Sequence, residues 1–240
     1  SSIKASVWGA RRIDMRTGKQ KILILGANGQ VGKELSKRAG NFEVNATAFT
    51  RTELDITDSQ AVGRILENLR PNTVINAAAY TAVDDAENLT EVAYKVNRDA
   101  PENLAKICEK LSIPIIHIST DYVFDGKKSG AYLEDDPVRP LGIYGRSKEA
   151  GEAVIRDNTE KYIILRTSWV YAAHGNNFLR TMMRLANERS ELNIVEDQCG
   201  VPTCAVDIAD ALVLIAKQIT NNTLEPVSYT HLTLPTSPKV

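Results

Sequence analysis

The chain has 240 residues, 43% of them apolar and 25% charged, with a formal net charge of −1, which suits a globular α/β unit large enough to bury a core. That balance offers no field for nucleic acid or anionic lipid, so a small-molecule ligand is the expected partner. Three cysteines without CxxC spacing (Cys108, Cys199, Cys204) and three scattered histidines (His117, His174, His231) exclude a disulfide framework and a histidine–cysteine metal centre.

In chain order, the first regular element is expected at Lys21-Ile-Leu-Ile-Leu25, a continuous apolar run of strand length, followed by glycines and a helix from about Gln30. Glu43 to Phe49 reads as a second strand. Thr57-Asp-Ser-Gln60 has capping-box spacing and opens a helix that runs to about Leu69, where Pro71 stops it. Thr73 to Asn76 begins a buried third strand. Asp99-Ala-Pro-Glu102 opens another helix, with the proline tolerated in its first turn. Pro114 to Ser119 and Tyr162 to Arg166 read as the fourth and fifth strands. Helices are expected over about Gly145–Arg156, Asn177–Asn187 and Asp207–Lys217. Strands separated by helices imply a parallel sheet covered on both faces, a doubly wound α/β architecture.

Residues 1–20 read as an N-terminal extension, with Met15 as a plausible natural start, and 227–240 as a Thr/Pro/Ser-rich tail of the kind that translated adaptor sequence leaves. No apolar run approaches the roughly 18 residues of a membrane helix. Nothing resembles a signal peptide, and the odd cysteine count fits a reducing cytoplasm.

Gly26-Ala-Asn-Gly29-Gln-Val-Gly32 sits between the first strand and the first helix. Residues without a Cβ let backbone N–H groups approach a pyrophosphate, and the helix N-terminus adds partial positive charge. In that context the GxxGxxG spacing points to a dinucleotide-binding Rossmann unit over 21–226. The second strand ends in Ala48-Phe49-Thr50-Arg51, with no acid for a ribose 2′-hydroxyl. Arg51 either pairs with a 2′-phosphate, which favours NADPH and leaves NADH open, or is a solvated surface arginine. Asp55 and Ile56 lie where a loop can bracket the adenine.

Tyr144-Gly-Arg-Ser-Lys148 puts a phenol and an ammonium four residues apart on one helix face. Carbonyl reduction needs hydride on carbon and a proton on oxygen, and a nearby cation makes a tyrosine anion more accessible. The fourth strand ends in Ser119-Thr120-Asp121-Tyr122, at the sheet edge where ligands bind. The Thr120 hydroxyl either bonds the reacting carbonyl oxygen or satisfies backbone at the strand end.

With these segments, and with Asn76-Ala-Ala-Ala-Tyr-Thr81, Arg166-Thr-Ser-Trp-Val-Tyr171 and Asp197-Gln-Cys-Gly-Val-Pro-Thr203, the chain resembles the dTDP-4-dehydrorhamnose reductases, an extended branch of the short-chain dehydrogenase/reductase superfamily, over about Lys21–Ile219. The resemblance implies Tyr144 as proton donor, Lys148 as its partner and Thr120 as stabiliser of the developing oxyanion. It implies Gly29, Gln30 and Val31 at the cofactor pyrophosphate, Asp55 and Ile56 at the adenine, and Ala79, Tyr80 and Thr81 along the cofactor's middle. Thr120, Asp121 and Trp169 are implied to meet a sugar nucleotide, Trp169 having core packing as its other reading. Asn97 either anchors backbone near the site or caps a helix end.

Related sugar-nucleotide dehydratases carry Thr-Asp-Glu where this chain has Thr120-Asp121-Tyr122, so reduction is expected and dehydration is not. The family usually continues for several dozen residues past Asp207–Lys217, so a truncated C-terminal substrate-binding lobe is expected. Some members pair as homodimers through magnesium-linked carboxylates, but no such cluster can be placed here. Two other readings stay open: a non-catalytic regulatory subunit of the methionine adenosyltransferase type, and a reductase of another keto-deoxysugar nucleotide.

Overall fold

A computed structural model describes residues 19–192, 194, 200–221 and, as backbone only, 231–233. Six parallel strands make the central sheet in the order β2-β1-β3-β4-β5-β8. They are β1 Lys21–Leu25, β2 Asn45–Phe49, β3 Thr73–Asn76, β4 Ile115–Thr120, β5 Tyr162–Thr167 and β8 His231–Thr233. Helices α1 Gln30–Arg38, α2 Ser59–Leu69, α5 Ala100–Leu111, α6 Ile143–Asn158 and α8 Ala205–Thr220 cover it. Between β3 and α5 lie α3 Val83–Asn88, α4 Thr90–Tyr94 and a π-helical turn, Lys95–Asp99. Val170–Tyr171 (β6) and Thr203–Cys204 (β7) form a small second sheet that brackets α7, Phe178–Glu188.

The period of two in each strand sorts the core. Ile22, Ile24, Ile75, Ile116, Ile163 and Leu165 face α1 and α8, packing on Leu35, Ile208, Leu212 and Val213. Leu23, Leu25, Val74 and Ile115 face α2, α5 and α6, packing on Leu66, Leu104 and Ile155. Each such side chain is essentially out of water and contributes about 1.5–3 kcal/mol. The strand order reverses beside β1, so a crevice opens at the carboxyl ends of β1, β3 and β4.

The expected doubly wound parallel sheet is therefore present, and its boundaries differ where local chemistry intervenes. Glu43 adopts a left-handed backbone (φ 59°) at the end of a 3-10 turn, so β2 begins only at Asn45. The α2 cap is Asp58, whose Oδ1 accepts from Ala61 N at 2.9 Å. Thr57, expected as that cap, donates instead to Asp55 Oδ1 at 2.9 Å, a nearer acceptor. Asn97 is not at a helix end. Pro101 has no N–H for the Asn97 carbonyl four residues back, so the ladder widens into the π turn and runs on into α5.

Residues 231–233 lie in the stretch set aside as a tail, yet they pair in parallel with β5. Three residues are too few to show a period in sequence. Outside the described residues fall 1–18 with Met15, 197–199 with Cys199, and 227–230 and 234–240. No described helix is long and apolar enough to cross a membrane.

Candidate active site

Gly26 leaves β1 with φ +83°, and a Cβ there would sit 2.6 Å from Ala78 N. A Cβ on Gly32 would sit 2.2 Å from the Gly26 carbonyl. Both glycines are thus required for α1 to start so close to the sheet. Gly29 caps α1 without any side-chain hydrogen bond, leaving the N–H groups of the first turn facing the crevice. Such a cradle fits a pyrophosphate.

Two adjoining depressions share Asn28, Gly29, Ala77 and Ala79. The smaller, about 190 Å³, is lined by Gly26, Arg51, Asp55, Ile56, Ala79 and Tyr80 among others. Arg51 is mostly exposed at its rim, with Nε 3.8 Å from Asp55 Oδ2. Hydrogen bonds from Thr57, opposed by burial, hold the Asp55 carboxyl below its usual range. The larger, about 500 Å³, is walled by Gln30, Val31, Thr81, Thr120, Asp121, Tyr144, Lys148 and Trp169, among others. Every residue expected in the site thus borders one depression or the other, except Gly32, which acts through packing.

Lys148 lies one turn after Tyr144 on α6, and both are buried. Burial pushes the Tyr144 phenol up to about 12, although a hydrogen bond with Thr120 pulls the other way. Thr120 also accepts from Tyr122 N at 3.2 Å, which realises the reading of this hydroxyl as a backbone partner at the strand end. Burial brings the Lys148 ammonium down to about 8, against the countering charge of Glu152. Lys148 Nζ donates to the Ile118 carbonyl at 2.7 Å. Glu152 stays ionised despite burial because Arg166 grips it with bonds of 3.0 and 2.6 Å.

Asn97 anchors the backbone opposite. Its Oδ1 accepts from Tyr80 N at 2.8 Å and its Nδ2 donates to Tyr80 O at 3.0 Å, which fixes the Ala79–Thr81 wall. The same Nδ2 lies 3.0 Å from Ser147 Oγ, linking that wall to α6. Trp169 takes a left-handed backbone (φ 44°), uncommon for a bulky residue, and is half-buried against Gly200 and Phe178. From that position Trp169 lines the larger depression.

Three contacts at the site are not visible in the sequence. Gln30 Oε1 accepts from Asn177 Nδ2 at 2.8 Å, and this bond draws the 172–177 loop over the glycine turn. Tyr122 meets Tyr144 edge-on, with ring centroids 5.4 Å apart. His117, wholly buried, touches both Asn76 and Lys148. Its one sequence signal was a polar residue breaking the apolar run Pro114–Ile118. Among the described residues, no three acidic, histidine or cysteine side chains gather to hold a metal ion.

Residues 20–235 match the RmlD substrate binding domain family. The dTDP-4-dehydrorhamnose reductase of Aggregatibacter actinomycetemcomitans is 48% identical over 202 residues, which are 83% of this chain and 68% of that protein. The enzyme of the same name from Burkholderia thailandensis is 47% identical over 79% of this chain and 63% of its own length. The chain thus spans about two thirds of these relatives. The crystal structure of dTDP-4-dehydrorhamnose reductase from Bacillus anthracis in complex with NADP superposes with a TM-score of 0.84 at 35% identity, covering 92% of this chain and 76% of that one. Fold, glycine turn and likeness agree, and the chain belongs to the dTDP-4-dehydrorhamnose reductase family.

Proposed function

We propose that this chain is an NADPH-dependent reductase that converts the C4 carbonyl of dTDP-4-dehydro-L-rhamnose to the alcohol of dTDP-L-rhamnose. The observation that carries the reading is the convergence of Thr120, Tyr144 and Lys148 on one depression that adjoins the glycine turn. The names of the relatives, and the NADP in the Bacillus anthracis structure, support the choice of substrate and cofactor.

Gly29, Gln30 and Val31 would hold the pyrophosphate through backbone N–H groups, and Arg51 the 2′-phosphate. Ala79, Tyr80 and Thr81 would line the cofactor's middle, with Asp55 and Ile56 at the adenine. Bound NADPH supplies the hydride that reaches C4. Tyr144 gives its phenolic proton to the oxygen, and the Thr120 hydroxyl steadies the charge that develops there. Lys148 then compensates the tyrosinate and returns a proton to it. Asp121 and Trp169 would seat the sugar. The reading includes a cytoplasmic setting, in keeping with the free thiols of Cys108 and Cys204.

Tyr144→Phe is expected to lower NADPH oxidation by the keto-sugar at least about 100-fold while NADPH still binds. The decay of NADPH absorbance measures the first and fluorescence titration the second. Full turnover in that variant would remove the proton donor from the scheme.

A further inference from the structure

Asn76 on β3 and His117 on β4 are register partners in adjacent parallel strands, so their side chains share the face on which α6 packs. Asn76 Oδ1 accepts from Ala78 N at 3.2 Å, which leaves Nδ2 to face His117 Nδ1 at 3.0 Å. An amide nitrogen only donates, so Nδ1 must accept and the ring hydrogen must sit on Nε2. Nε2 in turn lies 3.1 Å from Lys148 Nζ. An N–H aimed at an ammonium opposes donor to donor, whereas aimed at an amine it finds a lone pair. The amine keeps its own donation to the Ile118 carbonyl.

We propose that His117 is a positioning residue, oriented by Asn76, whose Nε2–H donates to the amine form of Lys148 and so favours that form over the ammonium in the cofactor-free protein. The proposal deepens the reductase reading, on which its catalytic meaning rests. Protonating Lys148 requires the ring hydrogen to move to Nδ1 and the Asn76 amide to turn over. That turn would strip Ala78 N of its acceptor, in the wall of the cofactor depression. Lysine charge and cofactor wall are therefore coupled through one imidazole. Amine and ammonium then lie close in energy near neutral pH, as a group that passes a proton to and from Tyr144 requires.

Burial, joined by the Lys148 charge whenever that side chain is protonated, holds the His117 imidazole well below its ordinary range, so the ring acts as a tautomer and not as a cation. The other ionisable groups around Lys148 are Glu152 and Tyr144 on α6 and Asp121 at the end of β4. Arg166 occupies Glu152.

The test reads tautomer and titration, not turnover. In full-length protein with His174→Asn and His231→Asn, held at a pH above the Lys148 titration, the remaining imidazole ¹⁵N signals should place the hydrogen on Nε2; a hydrogen on Nδ1 there overturns the proposal. Lysine-selective ¹³C spectra should show Lys148 titrating about one pH unit higher in His117→Phe than in wild type. His117→Gln, which can keep an N–H toward Nζ, should return the titration toward the wild-type position. An unchanged titration in His117→Phe also overturns the proposal. The reductase reading fails separately. A protein that binds NADPH, shows these titrations and reduces no keto-sugar would remove the activity and leave the hydrogen-bond assignment standing.

Discussion

Lys148 is 1% exposed, and its ammonium is brought from the 10.5 of a free lysine down to about 8 by burial. The unfolded chain therefore binds this proton more tightly than the folded one, and the cost is complete below pH 8. It fades as pH rises from about 8 to 10.5, so stability from this group increases with pH across that window. The gap corresponds to a cost on the order of 3 kcal/mol. Lys148→Met should accordingly be more stable than wild type at pH 7, by about 1–3 kcal/mol once the lost bond to Ile118 O is allowed for. Urea unfolding at pH 7, 9 and 10 should show that advantage shrinking. A variant less stable at pH 7, with no change of slope, would mean the lysine is structural. The pair Tyr144 and Lys148 was legible because four-residue spacing on a helix is a sequence property. His117 was not, because the contact that gives it meaning joins β4 to α6, 31 residues apart.

At the scale of elements, α6 can bring its two site residues to β4 because it approaches neighbouring backbone at two glycines. A Cβ on Gly145 would lie 2.2 Å from Tyr122 O, and one on Gly151 2.0 Å from Asn97 O. The second contact exists because Pro101 leaves the Asn97 carbonyl without its α-helical donor, so the π turn and α6 fit as a pair. Gly151→Ala should therefore lose about 1–3 kcal/mol through overpacking and weaken NADPH binding as Ser147 and Lys148 shift. Gly63, in the interior of α2, is the opposite case, since a Cβ there meets only Ile107 Cδ1 at 3.9 Å. Gly63→Ala should raise stability by about 0.5–1 kcal/mol and leave NADPH affinity unchanged. Chemical denaturation of the two variants beside wild type checks both signs. Loss of stability at Gly63, or none at Gly151, would contradict the packing described. The sequence showed α6, and placed α5 from Asp99-Ala-Pro-Glu102, because periodicity and caps are local. It did not show α3, α4 or the π turn, whose short segments lack a full amphipathic period.

Across the whole molecule, strands alternating with helices implied a parallel sheet covered on both faces, whereas the strand order is a finding of the structure. The crevice followed from that order, and its chemistry from the glycine turn. The composition of the final stretch hid a strand that only the edge of β5 could organise. A ligand seated in the crevice touches loops from β1, β2, β3 and β4 at once, so it should stabilise the molecule as a unit. At a concentration about 100 times its dissociation constant, NADPH should add about 2.7 kcal/mol. For a chain of this length that corresponds to a rise in Tm of roughly 5–10 °C. Gly26→Ala should abolish the rise even where the variant folds, because the added Cβ meets Ala78 N at 2.6 Å and the backbone at φ +83° disfavours a side chain. Arg51→Ala should leave the shift from NADH unaltered and reduce that from NADPH, since the exposed guanidinium has only the 2′-phosphate to distinguish the two. Differential scanning calorimetry of three proteins with two cofactors resolves these outcomes. Equal shifts from NADH and NADPH in the wild-type chain would remove Arg51 from the cofactor site while leaving the glycine cradle in place.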